Sequence, residues 1–164
     1  YRGYRNLIEA TGSFGAAMSL LGDVAQEVWH RMGDVGYVDA DGRLWFCGRK
    51  AHIIETSGGR MFTIPCEAIL NEHPDVYRTA LVGVGPKPDQ RPVVVVEPEP
   101  NRFPETDTDC ERLTSELRDI AAASPLTASI ETFLFLRALP VDTRHNVKIN
   151  REELGLWAAG QPLD

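Results

Sequence analysis

The sequence predicts an α+β fold in which a β-hairpin precedes a small domain, where helices flank a short mixed or antiparallel sheet. Three observations lead to this class. Asp41-Gly42 separates two apolar-patterned runs and is a strong hairpin signal. Residues 93–96 are all valine, and a β-branched run of this kind suits a strand buried on both faces. Apolar residues at helical spacing follow between positions 110 and 120, so helices are expected to cover the sheet.

The hairpin is predicted from strands at residues 36–38 and 44–47. Folding at the turn between them would bring Asp34 and Arg49, each next to a glycine, to the same end of the ribbon. A carboxylate there can accept hydrogen bonds from ribose hydroxyls, and a guanidinium can donate to sugar or phosphate oxygens. The pair therefore predicts a nucleotide site. The alternative is a surface hairpin closed by a salt bridge.

The elements after the hairpin follow from turn and capping signals. Pro65 fits the first position of a helix over residues 66–72. A capping box that begins at Thr108 is predicted to open a second helix. The apolar face of that helix would carry Cys110, Leu113, Leu117 and Ile120. The strands of the sheet are predicted at residues 76–84, 92–97 and 132–136.

The composition fits a globular protein with one modest core, since the 164 residues are 43% hydrophobic and 25% charged. The formal net charge of −7 argues against nucleic acid or an anionic membrane as the main partner. No apolar run approaches the roughly 18 residues that a membrane-spanning helix needs, so no transmembrane segment is predicted.

The cysteines and histidines indicate no metal site. Cys47, Cys66 and Cys110 lie within the predicted strand and helix patterns and lack metal-ligand spacing. They are interpreted as buried thiols, which places the protein in a reducing cytoplasm. The four histidines are scattered along the chain, so no structural metal is predicted.

A lysine near the C-terminus is the main catalytic candidate. An apolar stretch ends at Pro140, a polar loop follows, and Lys148 is predicted to open a short helix from a loop at the edge of the sheet. A lysine ammonium is a compact charge on a flexible stem, suited to reaching into a cleft and offsetting negative charge. The alternative is an exposed lysine at the start of a helix, without a chemical role.

Three short motifs resemble, in order and spacing, those of the adenylate-forming superfamily of acyl-CoA synthetases, luciferases and peptide-synthetase adenylation domains. Residues 32–34 read Met-Gly-Asp and resemble its ribose-binding Thr-Gly-Asp motif. Residues 48–49 read Gly-Arg and resemble its hinge motif. Residues 148–151 read Lys-Ile-Asn-Arg and resemble its terminal Gly-Lys-Ile-x-Arg motif, with Val147 in place of the glycine.

The resemblance implies a division of the chain into three parts. Residues 1–48 would be the terminal segment of a large AMP-binding domain, made of a linker and the hairpin. Residues 49–52 would be a hinge that includes Lys50 and Ala51. Residues 53–164 would be the mobile C-terminal lid domain of the adenylate-forming fold.

The resemblance also implies roles for individual residues. Asp34 and Arg49 would bind the nucleotide, and Lys148 would act in catalysis. ATP and Mg²⁺ would be substrate and ion of the intact enzyme, without a structural metal. The superfamily's phosphate-binding loop lies upstream in the large domain, so the 164-residue chain alone is expected to be inactive. Gly58 and Gly59 would lie beside the acyl and thiol tunnel, although a plain turn explains them equally well.

Some residues of this chain differ from the superfamily pattern, and these differences indicate one family within the superfamily. The hinge position that is usually Asp or Lys is Ala51, and the terminal loop before Lys148 is longer than usual. Residues 29–34, 44–52 and 140–149 resemble the olefin β-lactone synthetases of bacterial long-chain hydrocarbon biosynthesis. That family adenylates a long-chain 2-alkyl-3-hydroxy acid, whose own β-hydroxyl then displaces AMP and closes a β-lactone.

The same resemblance implies the partners. They are a long-chain acyl substrate, the rest of the chain's own N-terminal domain, and a β-lactone decarboxylase and a reductase in a multienzyme assembly. His145 is the histidine nearest to Lys148 in sequence, so a role as proton acceptor is one hypothesis. The alternative is that Arg144 and His145 pack the loop or contact the AMP phosphate.

Two other functions remain open from the sequence. One is the C-terminal domain of a long-chain fatty acyl-CoA or acyl-AMP ligase, which formation of a CoA thioester would favour. The other is a non-catalytic docking module for partner enzymes. Asp34, Arg49 and Lys148 argue against the docking module, because an interaction surface has no need of this trio.

Overall fold

The computed structural model describes residues 33–142 and 148–163, and the chain divides into two compact units, Tyr1–Ala51 and His52–Asp164. The described residues form seven strands and three α-helices, which confirms the predicted α+β class. In chain order these are β1 (Asp34–Val38), β2 (Leu44–Arg49), β3 (Ile54–Thr56), β4 (Gly59–Met61), α1 (Thr63–Leu70), β5 (Val76–Val84), β6 (Arg91–Pro98), α2 (Asp107–Ala122), β7 (Thr132–Phe135) and α3 (Arg151–Ala159).

The first unit contains the predicted hairpin. Strands β1 and β2 pair antiparallel, and the turn between them contains Asp41-Gly42. Gly42 has a φ of +79°, a left-handed conformation that glycine adopts without a Cβ penalty. Gly36 permits close pairing of the strands, because a Cβ on it would lie 2.4 Å from the carbonyl oxygen of Trp45.

The second unit is built around a mixed three-stranded sheet in the order β5-β6-β7. Strand β6 pairs antiparallel with β5 and parallel with β7, so α2 lies on the crossover between the two parallel strands. The valines at positions 93–96 are fully buried, which confirms the prediction of a strand covered on both faces.

Two apolar clusters cover the two faces of this sheet, because successive side chains of a strand point to opposite sides. Val94 and Val96 belong to a cluster that includes residues of α1 and α2. Val93 and Val95 belong to a second cluster, which includes Leu154 and Ala158 of α3 and is completed by Ala80, Val82 and Leu139. The sheet is therefore the middle of three layers.

The helices begin at different residues from those predicted. Helix α1 begins at Thr63, so Pro65 is its third residue, which is allowed because the first four N–H groups of a helix have no intrahelical partner. The cap of α2 is Thr106 instead of Thr108, and its hydroxyl accepts from the backbone N–H of Asp109. Helix α3 begins three residues after Lys148.

The three cysteines were predicted to be buried thiols. Cys47 and Cys66 are buried as predicted, whereas Cys110, in the first turn of α2, is only partly buried. Burial raises the pKa of the Cys47 thiol above its ordinary value. Among the residues that the structure describes, every helix is too short or too polar to traverse a bilayer.

Candidate functional site

Asp34 and Arg49 lie together at the base of the hairpin, as the sequence predicted. They are register partners in β1 and β2, and Arg49 Nη1 lies 2.9 Å from Asp34 Oδ1. Gly33 and Gly48, beside them, have φ values of +75° and +122°. The backbone N–H of Lys50 donates to the carbonyl oxygen of Gly33 at 2.7 Å, which closes this end of the ribbon.

The Asp34–Arg49 pair is open to water, since the two side chains are 38% and 43% exposed. Ion pairs between such exposed groups contribute about 0–1 kcal/mol to stability. A ligand that replaces this contact with its own hydroxyl or phosphate oxygens therefore gives up little folding energy. The geometry is compatible with nucleotide binding as well as with a structural salt bridge, and the binding role stays a prediction.

The opposite end of the hairpin is fixed by Asp39. Its carboxylate accepts from the indole Nε1–H of Trp45 at 2.8 Å, from the backbone N–H of Arg43 at 2.9 Å and from the backbone N–H of Asp41 at 3.0 Å. These bonds, with the Trp45 indole first, lower the pKa of Asp39 from 3.8 to about 2. The turn thereby holds the strand register from Val38–Leu44 to Gly36–Phe46, and a register shift beyond Gly36 sets Asp34 opposite Arg49.

Lys148 is exposed at the point where the terminal loop rejoins the fold. Its carbonyl oxygen accepts from the backbone N–H of Asp142 at 2.9 Å, and the next residue, Ile149, forms an antiparallel bridge with Val141. The intervening residues 143–147 lie outside the described part of the chain, and so do the predicted loop residues Arg144 and His145. Lys148 is therefore held by its backbone, with its side chain in solvent.

Helix α3 starts after Lys148 because Asn150 caps it. The Asn150 side-chain oxygen accepts from the backbone N–H of Glu153 at 3.3 Å, a standard N-cap contact. The prediction that Lys148 itself opens the helix is wrong by three residues. The lysine lies instead on the short extended segment that precedes the cap.

Arg151 is the last residue of the terminal motif, and the sequence alone predicts no role for it. Its guanidinium forms a two-pronged ion pair with Glu67, with Nη1–Oε1 at 2.6 Å and Nη2–Oε2 at 2.9 Å. The two side chains are only 11% and 7% exposed. Burial raises the pKa of the Glu67 carboxyl, and the Arg151 charge opposes that rise. The sequence signal for this ion pair was only the presence of a basic residue shortly after Lys148, since Glu67 lies 84 positions before Arg151.

Gly58 and Gly59 lie at the turn between β3 and β4. Gly59 has a φ of +126°, and the Thr56 hydroxyl donates to its carbonyl oxygen at 2.9 Å. The structure thus forms a short hairpin there, as the plain-turn alternative requires. A role beside an acyl substrate stays a prediction.

Lys50 and Ala51 lie in a short 3₁₀ turn, Lys50–His52, at the boundary between the two compact units. Asp34 and Arg49 belong to the first unit, whereas Lys148 belongs to the second. Their common action in one site and the hinge role of this turn therefore stay predictions.

One cluster of residues has the chemistry of metal ligands within the described ranges: His73, Asp75 and Glu116. Its groups already bind one another, because His73 Nε2 lies 3.0 Å from Glu116 Oε2 and His73 Nδ1 accepts from the Asp75 N–H at 3.1 Å. Arg112 pairs with both carboxylates. The Arg112 guanidinium thus already supplies positive charge to both carboxylates.

No protein-family model matches the sequence. Among curated proteins, it is similar to the olefin beta-lactone synthetase of Xanthomonas campestris pv. campestris, with 52% identity over 143 residues, 85% of this chain and 24% of that protein. The olefin beta-lactone synthetase of Stenotrophomonas maltophilia is 44% identical over 158 residues, 96% of this chain and 28% of that protein. The 4-chlorobenzoate–CoA ligase of Arthrobacter sp is 33% identical over 82% of this chain and 25% of that protein.

The fold of this chain is also similar to the folds of solved structures. The amide bond synthetase McbA from Marinactinospora thermotolerans matches with a TM-score of 0.65 and 26% identity, over 82% of this chain and 26% of that one. The anthranilate CoA ligase AuaEII, in complex with anthranoyl-AMP, matches with a TM-score of 0.65 and 25% identity, over 78% of this chain and 24% of that one.

The relatives and the solved structures are adenylate-forming enzymes, and the matches are consistent with this chain being a C-terminal fragment of that superfamily. Within that superfamily, the relatives at 44% and 52% identity are olefin beta-lactone synthetases. The chain spans about a quarter of the length of these relatives, which are 24% and 28% covered.

Proposed function

We propose that this chain is the C-terminal portion of an ATP-dependent, AMP-forming ligase that adenylates a long-chain 3-hydroxy acid. The acyl-adenylate then cyclises to a β-lactone, with AMP and pyrophosphate as the other products. The observation that carries the proposal is the 52% identity to an olefin beta-lactone synthetase over 85% of this chain. The chain by itself is expected to be inactive, because the residues that hold the ATP phosphates are expected in another part of the full-length enzyme.

Lys148 is proposed to act in the adenylation step. This step brings a carboxylate against an α-phosphate that is already negative, so the barrier is largely electrostatic. An ammonium group between the two oxygens offsets this repulsion, and two unit charges ~4 Å apart interact by about 4 kcal/mol at an effective dielectric near 20. Its place beside a backbone-anchored bridge, at the end of a loop, suits a residue that must reach into a cleft.

Asp34 and Arg49 are proposed to bind the nucleotide of ATP. The carboxylate would accept from the ribose hydroxyls, and the guanidinium would donate to sugar or phosphate oxygens. ATP enters as substrate together with Mg²⁺, which neutralises phosphate charge when bound. The solved structure of MenE from Bacillus subtilis contains ATP and a magnesium ion and shares this fold, with a TM-score of 0.60. No described residue of this chain is assigned to the metal.

The second step depends on proximity. The nucleophile is the substrate's own β-hydroxyl oxygen, which attacks the acyl carbon, and the bond from that carbon to the AMP oxygen breaks. Closure avoids a bimolecular encounter, so the enzyme must mainly orient the hydroxyl and exclude water. The hydroxyl proton needs an acceptor, for which His145 is a hypothesis that lies outside the described residues.

The proposed partners follow from the same assignment. The long-chain acyl substrate and the rest of the enzyme's own N-terminal domain would complete the site. A β-lactone decarboxylase and a reductase would share a multienzyme assembly in the cytoplasm.

Product analysis of the full-length enzyme tests the proposal. The enzyme is incubated with ATP, Mg²⁺ and a long-chain 3-hydroxy acid, first without and then with CoA, and products are identified by NMR and mass spectrometry. A β-lactone and AMP formed without CoA are expected. An acyl-CoA formed only with CoA would instead assign an acyl-CoA ligase, the second candidate, which the 33% identity to a 4-chlorobenzoate–CoA ligase favours.

The Lys148→Ala variant of the full-length enzyme tests the catalytic role. Loss of a contact made in the transition state typically lowers the rate by ~10²–10³, and we expect this loss in the adenylation step. The rate is measured by ATP–pyrophosphate exchange in the presence of the hydroxy acid. The control is Lys87→Ala, which removes a lysine that pairs with Glu55 on the same unit and should leave the rate unchanged. Equal rates for both variants would reject the role.

A further inference from the structure

We propose that Arg151 is a positioning residue, which fixes the backbone that carries Lys148 through its buried ion pair with Glu67. This inference rests on the proposed catalytic role of Lys148 and adds to it the device that holds the lysine in place. Three elements, α1, β5 and α3, meet around this ion pair at the edge of the central sheet.

The ion pair joins helices that lie on opposite faces of the sheet. Glu67 belongs to α1, on the face that Val94 and Val96 share, whereas Arg151 is the first residue of α3, on the other face. Between them passes Leu81 of the edge strand β5. The Leu81 N–H donates to Glu67 Oε1 at 2.8 Å, and Arg151 Nη1 donates to the Leu81 carbonyl oxygen at 3.2 Å. The start of α3 is thereby fixed to β5 and α1 together.

A short and well-bonded path leads from Arg151 to Lys148. Asn150 caps α3 and also donates its backbone N–H to the Pro140 carbonyl oxygen at 2.8 Å. Ile149 is bridged to Val141. Lys148 is three residues from Arg151, a distance that even a fully extended chain limits to about 10 Å. Any rotation or shift of the first turn of α3 is therefore passed on to the lysine backbone.

Stability alone is a weak reason for such a pair. Replacing a buried ion pair with well-packed apolar residues is often neutral or stabilising, because both charges lose their hydration. A two-pronged guanidinium–carboxylate contact adds direction, since two parallel hydrogen bonds fix the orientation as well as the distance. The geometry therefore favours a positional role, in which the orientation of α3 is what the pair provides.

A double-mutant cycle in the full-length enzyme separates positioning from plain stabilisation. The variants are Arg151→Lys, Lys148→Ala and their combination, and the measurement is ATP–pyrophosphate exchange with a long-chain 3-hydroxy acid. Arg151→Lys keeps a positive charge opposite Glu67 but removes the pair of parallel hydrogen bonds that only a guanidinium can donate. We expect it to lower kcat by ~10–100-fold, because small misplacements of a catalytic group have costs of this size, while KM for ATP is unchanged.

In the Lys148→Ala background, the Arg151→Lys change should cause no further loss, since no ammonium remains to be positioned. A role in folding alone would reduce the rate by the same factor in both backgrounds. That additive result overturns the inference, and so does a single Arg151→Lys variant with the wild-type kcat. A Lys148→Ala enzyme with full activity would overturn the proposed catalytic role of Lys148, on which the inference rests. Product analysis tests the proposed function separately, so the failures are distinguishable.

Two further variants keep the test valid if Arg151→Lys folds poorly. The pair change Glu67→Gln/Arg151→Met leaves no isolated buried charge and retains an acceptor for the Leu81 N–H. This double variant should fold, which thermal unfolding followed by circular dichroism measures. It should show the same loss of kcat with an unchanged KM for ATP. A folded double variant with the wild-type kcat would overturn the inference. The matched control is Arg112→Lys, which alters a double ion pair with Asp75 and Glu116 and should leave kcat unchanged.

Discussion

At the residue scale, Asp39 shows how one carboxylate organises a turn. Its two oxygens accept from backbone and side-chain donors of the turn and of β2, including the indole of Trp45 and the guanidinium of Arg43. Tyr37 and Trp45 stack across the strands with ring centroids 6.2 Å apart. The charged form of Asp39 is therefore part of the folded hairpin.

The stability of the hairpin should depend on pH through this group. The folded pKa of Asp39 is about 2, below its ordinary value of 3.8. The unfolded chain therefore binds the proton first, so the stabilisation is fully present above about pH 4 and is lost as the pH falls toward 2. The indole N–H resonance of Trp45, followed by NMR, should report this loss over that interval.

Two variants test whether Asp39 is the group responsible for the acid transition. Asp39→Asn should weaken the turn already at neutral pH and abolish the acid transition. Asp41→Asn is the control, because the Asp41 carboxylate pairs with the exposed guanidinium of Arg43 and this variant should retain the transition. An unchanged acid transition in Asp39→Asn would contradict the assignment.

Residues that pair locally could be predicted from the sequence, whereas distant pairs could not. The turn signal and the strand patterns predict that Asp34 and Arg49 lie at the same end of the ribbon, and a register shift between Val35 and Gly36 then sets them opposite each other. Glu67 and Arg151 are separated by 84 positions, and only the complete three-layer packing brings them together. A single sequence carries no local signal for such a pair.

At the element scale, the start of α2 illustrates an ambiguity of capping patterns. Thr106 and Thr108 each precede an acidic residue by three positions, so both satisfy the capping pattern. The structure selects Thr106, whose backbone is extended and whose carbonyl accepts from the Cys110 N–H at 3.0 Å. The earlier start adds helical hydrogen bonds at no cost in burial, because both threonines are exposed.

Thr106→Ala should destabilise this chain by about 1 kcal/mol, because the cap hydroxyl satisfies an N–H that the helix leaves open. Thr108→Ala, two residues further on, should change the free energy of unfolding much less. Urea unfolding followed by circular dichroism measures both values. Equal losses for the two variants would show that the cap is not where the structure has it.

Elements with strong internal patterns were predicted well, and very short ones were missed. The strands around positions 76–84 and 93–96 follow from alternation and a β-branched run. Strands β3 and β4 have three residues each, too few for any periodic pattern to be read. Their hairpin around Gly58 was therefore foreseen only as a turn.

At the scale of the whole molecule, the second unit carries its own core. Among the residues that the structure describes, every member of the two apolar clusters lies within residues 54–163. A chain that begins at His52 should therefore unfold cooperatively, as a thermal transition monitored by circular dichroism would show. A broad transition with weak dispersion of NMR signals would mean that residues 1–51 are needed for this core.

The parallel pairing of β6 with β7 has a consequence for synthesis on the ribosome. Strand β6 ends at Pro98, but the strand that covers its second edge begins only at Thr132. At ~5–20 residues per second, roughly 2–7 s pass before that strand is translated. During this interval a row of valines has one edge unpaired, which is a known template for association between chains. Translation that stops between these strands is therefore expected to release a nascent product that self-associates.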